Sequence, residues 1–161
     1  MNWEAIGAVG EIIGAIAVVA SLVYVGIQVH QSNIMSRSQT RQSIMQLVQQ
    51  ELYKLIDDPT ILMLLTKADI SIEEKIKLNA WISSHMRQRE YEWFARNDGT
   101  IDENTFNTYK ALIPAVLGTE RSRRWWKLAR PAFYPGFAAF VDDLLGESPK
   151  FDIVEFFEEW K

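Results

Sequence analysis

The sequence predicts an all-α protein, in which one N-terminal transmembrane helix precedes a cytoplasmic bundle of five to seven helices. Three observations lead to this fold class. Residues 6–29 form an apolar segment with a single formal charge, Glu11. Beyond that segment, apolar residues recur at helical spacing between recognisable caps, prolines and glycines. No run of the chain alternates apolar and polar residues as a strand does, and no internal repeat occurs.

The apolar segment has the length of a membrane span. At about 1.5 Å per residue, a helix over residues 6–29 reaches roughly 36 Å, and a hydrocarbon core is about 30 Å thick. Residues 1–4 lack Lys and Arg, and no small-residue cleavage site follows, so the pattern differs from that of a signal peptide. The alternative is a buried core helix of a soluble protein, because the glycines and Glu11 lower the hydropathy.

One face of this predicted span carries small side chains. At about 100° per residue, they fall on a narrow stripe with alternating spacings of three and four: Gly7, Gly10, Gly14, Ala17 and Ser21. We call them the small-residue stripe. Small residues in register let helix backbones approach closely in a bilayer, so the stripe predicts helix–helix association. The alternative is that small residues are simply common in membrane helices.

A neighbouring face carries candidates for a pore lining. It combines two carboxylates near the N-terminal end with apolar residues further along: Glu4, Glu11, Val18, Leu22 and Val25. In a ring of spans, the carboxylates form acidic rings at the outer mouth, and the apolar residues form a constriction that gates by dewetting. The alternatives are that Glu4 only offsets the positive end of the helix dipole and that Glu11 is neutralised in the membrane.

The distribution of basic residues predicts the orientation of the span. No Lys or Arg precedes it, whereas Arg37 and Arg41 follow it closely. The positive-inside rule then places the N-terminus outside and the C-terminal domain in the cytoplasm. The absence of Cys agrees with a reducing compartment for that domain.

Three segments are predicted along the chain: a transmembrane helix over residues 1–30, a stalk with an amphipathic helix over 31–58, and a cytoplasmic all-α domain over 59–161. Neither Gly nor Pro occurs between the span and residue 58, so the first helix is expected to continue as the stalk. An apolar stripe marks its amphipathic part: Ile44, Leu47, Val48, Leu52, Leu55 and Ile56. Pro59 ends it, because the residue before a proline disfavours helix.

The helices of the domain are predicted from their caps. A short buried helix over residues 60–67 comes first. Ser71 and Glu74 have the spacing of a capping box, which opens a long helix to about Asn97. Asp98 and Gly99 close it.

Three further helices follow, and residues 151–160 predict a last short amphipathic one. The start signals are Asp102, Thr119 and Pro135. The stop signals are Gly118, Pro131 and Gly146. Pro114 is expected to bend or break the first of the three.

Composition and motifs exclude most catalytic chemistries. Without Cys, the chain has no disulfides, thiol catalysis or Cys-ligated zinc. Neither His30 nor His85 belongs to a zinc motif, and serine-triad, phosphate-loop and GxGxxG patterns are absent. A net charge of −4 is not the balance of a nucleic-acid-binding protein. The sequence therefore predicts no enzyme activity, no metal, no cofactor and no nucleic-acid partner. Asp57–Asp58 and Asp142–Asp143 are interpreted as solvated helix ends.

Two clusters of charged and aromatic residues remain. The first lies late in the long helix: Arg87, Arg89, Glu90, Tyr91, Trp93 and Phe94. The spacings allow an Arg87–Glu90 pair and a Glu92–Arg96 pair along the helix. We interpret this cluster as an interhelical layer of salt bridges and aromatic contacts, with a ligand pocket as the alternative.

The second cluster, which we call the basic patch, consists of Arg121, Arg123, Arg124, Trp125, Trp126 and Lys127. Cations beside Trp suit an anionic lipid headgroup surface, so the patch is a candidate contact with headgroups or a cytoplasmic partner. The alternative is that the tryptophans are core residues and the cations are solvated. We favour the alternative, because the span already engages the membrane.

The N-terminal block WEAIGAVGEIIGAIAVVASLVYVGIQV resembles the opening of a group of uncharacterised small bacterial proteins that combine one span with a helical cytoplasmic domain. The likeness covers residues 3–33 and implies a bacterial inner membrane and an all-α fold. In layout the chain is also similar to CRISPR-associated accessory membrane proteins, which pair one span with a HEPN-like helical domain and assemble into ring-shaped pores. Catalytic HEPN domains carry an Arg separated from a His by four to six residues. Before His85 those positions hold Leu78, Asn79 and Ala80, which disfavours a nuclease.

These observations predict a homo-oligomeric single-span inner-membrane protein, and in a sharper form a ring around a pore. Its expected partners are membrane lipids and further copies of the chain. The alternative function is a scaffold or accessory subunit that binds a larger membrane complex through the small-residue stripe, with the helical domain as an adaptor.

Overall fold

Every regular element in residues 2–148, the part of the chain that the computed structural model describes, is a helix. The predicted all-α class is therefore confirmed for this part. Within these residues, the side chain of Ala5 alone is not described. The predicted helix over residues 151–160 lies outside it. The elements are α1 (Trp3–Asp57), α2 (Thr60–Met63), α3 (Ile72–Asn97), α4 (Glu103–Lys110), α5 (Leu112–Leu117), α6 (Glu120–Ala129), a 3₁₀ helix (Arg130–Ala132) and α7 (Pro135–Glu147). The helices after α1 agree with the five to seven predicted.

Helix α1 runs without interruption from Trp3 to Asp57 and ends two residues before Pro59, as predicted. By its contacts the chain divides into two units, Met1–Thr40 and Arg41–Lys161. In the first unit, the described side chains up to residue 39 are exposed. The last part of α1 belongs to the second unit, where Ile44 is fully buried. Three members of the predicted amphipathic stripe are exposed in that part, contrary to expectation: Leu47, Leu52 and Ile56.

The predicted caps are confirmed where the local sequence decides them. In the capping box of α3, the backbone N–H of Glu74 donates to Ser71 Oγ at 3.2 Å, and the N–H of Ser71 donates to the Glu74 carboxylate at 2.8 Å. Gly99, with a φ of 69°, follows α3 in the left-handed region that glycine tolerates best. Asp102 and Thr119 cap α4 and α6.

The predicted single helix over residues 102–117 is two helices. Helix α4 ends at Lys110, and α5 begins at Leu112. Pro114 has no N–H to donate to the carbonyl of Lys110, and its ring clashes with that carbonyl in a continuous helix. The break therefore falls just before Leu112, and Pro114 lies in the first turn of α5, where a missing N–H costs nothing.

Two other boundaries differ from the prediction. Helix α2 ends at Met63, earlier than residue 67, and α7 passes Gly146 to end at Glu147. Turns follow α2. Ile61 within the helix and Leu64 and Leu65 just after it are buried, as expected.

Aromatic rings form the centre of the domain core. The Phe137 side chain is fully buried. Its ring centroid lies 6.4 Å from those of Trp93 and Trp126 and 6.0 Å from that of Phe133. These separations are within the range in which aromatic pairs attract.

Two glycines of α7 provide a matched test of this packing. A Cβ at Gly136 lies 3.0 Å from Tyr134 Cε1 and 3.1 Å from Trp93 Cη2, whereas a Cβ at Gly146 meets nothing within 4 Å. We expect Gly136→Ala to lower the free energy of unfolding by about 1–3 kcal/mol, because the rings must move. Gly146→Ala is expected to raise it by up to about 1 kcal/mol through helix propensity. Urea unfolding followed by Trp fluorescence measures both, and equal effects contradict the argument.

Candidate functional site

One helix in the described residues is long and apolar enough to cross a membrane. Its most apolar window of 18 residues lies in the stretch Ile6–Asp57 and has a mean hydropathy of 2.3. None of that window is buried within the chain. The exposed side chains include bulky aliphatic ones: Val9, Ile12, Ile13, Ile16, Val19 and Val23. Helix α1 therefore presents a long apolar surface that the other described residues leave uncovered.

The residues of the small-residue stripe are exposed along α1. A Cβ added at Gly7, Gly10 or Gly14 meets nothing within 4 Å, so no contact with the described residues requires glycine there. Ser21 Oγ donates to the carbonyl of Ala17 at 2.8 Å, which satisfies the hydroxyl inside the helix. The stripe is thus a smooth, small surface without unsatisfied hydroxyl donors.

The five pore-lining candidates also lie exposed on α1. Val18, Leu22 and Val25 line a shallow concavity of about 290 Å³ together with Ala17 and Ser21 of the stripe. The structure thus brings the apolar part of the predicted pore lining next to the predicted helix–helix interface. It does not bring Glu4 or Glu11 into that concavity.

Two arginines of the basic patch are used inside the domain. Arg121 donates to the backbone carbonyls of Leu64, Lys67 and Ala68, the last at 3.0 Å. Arg123 donates to the carbonyl of Leu145 at 3.3 Å and to that of Ser148 at 3.1 Å. Both guanidinium groups therefore bind carbonyls near helix ends, where the backbone lacks helical donors.

The rest of the basic patch is divided between core and surface. Trp126 is 3 % exposed. Trp125 is partly buried and donates to Asn79 at 2.8 Å. Arg124 and Lys127 are exposed, and Arg124 pairs with Glu120 at 2.8 Å.

Asp57, Asp142 and Asp143 are exposed, in agreement with their interpretation as solvated, and Asp58 is partly exposed. Asp142 also accepts from the indole N–H of Trp126 at 2.9 Å and from Arg130 at 2.6 Å. Asp58 likewise binds Lys77 and Thr60. Two of the four carboxylates thus combine contact with solvent and contacts within the domain.

The predicted pair Arg87–Glu90 is present at 2.6 Å, and Arg87 also lies over the ring of Phe133, 4.3 Å from its centroid. The predicted pair Glu92–Arg96 is wrong. Arg96 pairs with Glu103, and Glu92 pairs with Arg89, three residues before it in α3.

A buried polar cluster lies where the last turns of α1 pack on α3. The Arg89 and Glu92 side chains are each 1 % exposed and approach to 2.9 Å. His85 Nδ1 lies 3.1 Å from Glu51 Oε2, and these two side chains are 9 % and 14 % exposed. With its amide oriented to satisfy both ends, Gln88 donates to Glu51 at 3.1 Å and accepts from Arg89 at 2.9 Å. The cluster therefore links two helices through a continuous set of polar contacts.

Burial dominates the electrostatics of this cluster. It raises the pKa of Glu92 to about 7, although Arg89 and Gln88 act in the opposite direction. Burial also lowers the pKa of Arg89, and the nearby charges of Glu92 and Glu51 oppose that change. In both groups the charged form is disfavoured by the loss of water.

Sequence reasoning placed Arg89 in a charged cluster, named Glu92 only in a pair with Arg96, considered His85 only for catalysis, and missed Glu51 and Gln88. A signal was present in the sequence. His85, Gln88, Arg89 and Glu92 occupy positions i, i+3, i+4 and i+7, so they form a polar stripe on one face of α3. Glu51 had no such signal, because only the packing of α1 on α3 brings it there.

The cluster offers no metal site: no group of three or more His, Asp or Glu in residues 2–148 is arranged to hold an ion. No protein-family model, curated protein or solved structure matches the chain. The class of protein is therefore defined by its own features, which are an all-helical fold and one long, uncovered apolar helix.

Proposed function

We propose that the protein is a single-span membrane protein of a bacterial inner membrane that assembles with its own copies. The uncovered 18-residue window with a mean hydropathy of 2.3 carries this proposal. At about 25 cal/mol per Å² of apolar surface, leaving such a helix in water is costly, and lipid removes that cost. A core helix of a soluble protein is covered by its own chain, and this window is not.

The chemistry of the small-residue stripe supports self-association. Each glycine inside a helix costs about 1 kcal/mol relative to Ala, and Gly10 and Gly14 are not required by any contact within the chain. Glycine at these positions allows the backbone of a second helix to approach closely, which explains why glycine occurs there despite its cost. Polar groups near the stripe are satisfied internally, since Gln28 donates to the Tyr24 hydroxyl at 3.0 Å.

The orientation proposed for this span follows from charge. Arg37 and Arg41 lie after the apolar segment, and residues 1–5 contain no Lys or Arg. By the positive-inside rule, the N-terminus is outside and the helical domain is cytoplasmic.

In its sharper form, the proposal is a ring of spans around a pore. Glu4 and Glu11 supply the acidic mouth, and Val18, Leu22 and Val25 supply the apolar constriction. The support is that the constriction residues adjoin the small-residue stripe along one concave stretch of α1. Helices that meet along the stripe thus bring these residues to the edge of the interface.

Reconstitution of the full chain into liposomes tests the proposal. We expect the protein to float with the vesicles and to resist an alkaline wash, and we expect the vesicles to conduct cations in preference to anions. Glu11→Gln is expected to remove most of that preference, because it removes one ring of negative charge while keeping the side-chain volume.

The readouts separate the two levels of the proposal. Protein released by the alkaline wash overturns the membrane span itself. Equal conductance and selectivity for wild type and Glu11→Gln, with the protein retained on the vesicles, overturn only the acidic ring.

A further inference from the structure

The buried cluster between α1 and α3 contains more acid than fixed base. Glu51 and Glu92 are two carboxyl groups, and Arg89 is the one permanent cation among these contacts. Two ionised carboxylates and one guanidinium leave one negative charge unbalanced unless the cluster binds a proton. An unbalanced charge in a site this closed to water is strongly disfavoured.

The geometry identifies Glu92 as the group that holds this proton. Its side chain is 1 % exposed, and neither carboxylate oxygen has a well-aligned hydrogen-bond donor, although Arg89 lies 2.9 Å away. Glu51, in contrast, is 14 % exposed and is contacted by His85 and Gln88. The Glu92 carboxylate is thus the least solvated and least hydrogen-bonded anion of the cluster.

We propose that the contact between α1 and α3 is proton-linked: the Glu92 carboxyl carries a proton when the two helices are packed and releases it when they separate. The device belongs to the domain itself and is independent of the proposed membrane function. Its effect is that a rise in pH loosens the attachment of the last turns of α1 to α3.

The groups near Glu92 come from three helices, and their combined effect with burial favours the protonated carboxyl. Helix α3 contributes Arg89 and Gln88. Glu51 reaches in from α1 and disfavours a second negative charge, and from α4 the Tyr109 ring lies 5.7 Å from the Arg89 guanidinium carbon. Arg41 of α1 lowers the pKa of Tyr109, whereas the charges that act on Glu92 are those of Arg89 and Glu51.

A route for the proton exists beside the cluster. A cleft of about 260 Å³ lies between α1 and α3, and both Glu51 and Gln88 line it. Lys54 and Arg87 also line this cleft. Water in the cleft reaches Glu51 directly, and partial separation of the two helices extends that access to Glu92.

The direction of the pH effect follows from burial. The pKa of Glu92 is raised from 4.5 to about 7 in the folded chain. A carboxyl whose pKa rises on folding stabilises the folded state most below its unfolded value, and that stabilisation is lost as the pH rises through the folded value. The stabilisation by Glu92 is therefore lost mainly between pH 4.5 and pH 7.

The test compares full-chain variants in mild-detergent micelles by urea unfolding at pH 5 and pH 8, followed by Trp fluorescence. Glu92→Gln keeps the shape of a protonated carboxyl and cannot ionise. Relative to this variant, we expect the wild-type unfolding constant to increase on the order of 50- to 100-fold between the two pH values. At pH 8 the variant is expected to be the more stable protein.

Two further variants keep the test decisive. Glu51→Gln removes the other carboxylate and is expected to reduce the same pH dependence, whereas Glu103→Gln, in an exposed pair with Arg96, leaves it unchanged. A Glu92→Gln chain that is destabilised equally at both pH values, or that is unfolded at both, overturns the proposal. The proposal is also overturned if neither Glu92→Gln nor Glu51→Gln alters the pH dependence of the unfolding constant seen in the wild type.

Discussion

Arg89→Met is expected to lower the free energy of unfolding by about 3–5 kcal/mol at pH 8, the usual cost of removing one partner from a buried ion pair. Arg89 is 1 % exposed and is the only permanent cation in contact with Glu92 among the described residues. Met preserves most of the volume, so the loss measures charge rather than packing. At pH 5 we expect a smaller loss, because the Glu92 carboxyl, whose pKa is raised to about 7, is then neutral.

A double variant distinguishes the lost pair from general damage to the core. Arg89→Met combined with Glu92→Leu replaces the pair by apolar side chains, and such replacements are often neutral or stabilising. We therefore expect it to recover most of the stability at pH 8. Arg124→Met, which breaks an exposed pair with Glu120, is the surface control and should leave the urea midpoint nearly unchanged. A double variant no better than Arg89→Met shows that the guanidinium acts by packing.

Leucine at Gly10 and Gly14 is expected to abolish self-association in detergent or vesicles. The Gly10→Leu/Gly14→Leu variant adds two bulky side chains to the small-residue stripe, and helix backbones can no longer approach closely along it. We expect association to weaken at least about tenfold, which corresponds to 1.4 kcal/mol. Mass measurement in mild detergent then gives a monomer where the wild type gives a homogeneous multimer.

Gly26→Leu is the matched control for this experiment. A Cβ at Gly26 also meets nothing within 4 Å, yet at about 100° per residue Gly26 lies on a different face of α1 from the stripe. We expect this variant to retain the multimer. Loss of the multimer in both variants points to general disturbance of the span. A wild type recovered only with a different protein favours the scaffold function over a homo-oligomer.

The confirmed predictions are those in which neighbours in sequence decide the structure. The capping box of Ser71 and Glu74, the caps Asp102 and Thr119, and Pro135 at the first position of α7 are all confirmed. Each depends on hydrogen bonds within one turn or on the fixed φ of proline. The all-helical class follows from the same local rules.

The errors concern contacts between distant segments. Glu92 was expected to pair with Arg96 four residues on, but it pairs with Arg89, and Arg96 pairs with Glu103 of α4. Arg121 was grouped with the exposed cations, yet it binds the carbonyl of Ala68.

The sequence by itself determined the helical class, most helix ends and the apolar character of residues 6–29, because composition, periodicity and caps act over a few residues. Only the tertiary structure decided which polar residues lose their water. Glu51 of α1 and Glu92 of α3 are far apart in the chain, and packing of the two helices places both near Arg89 in a largely buried cluster. Desolvation depends on what covers a side chain, and that is set by the whole fold.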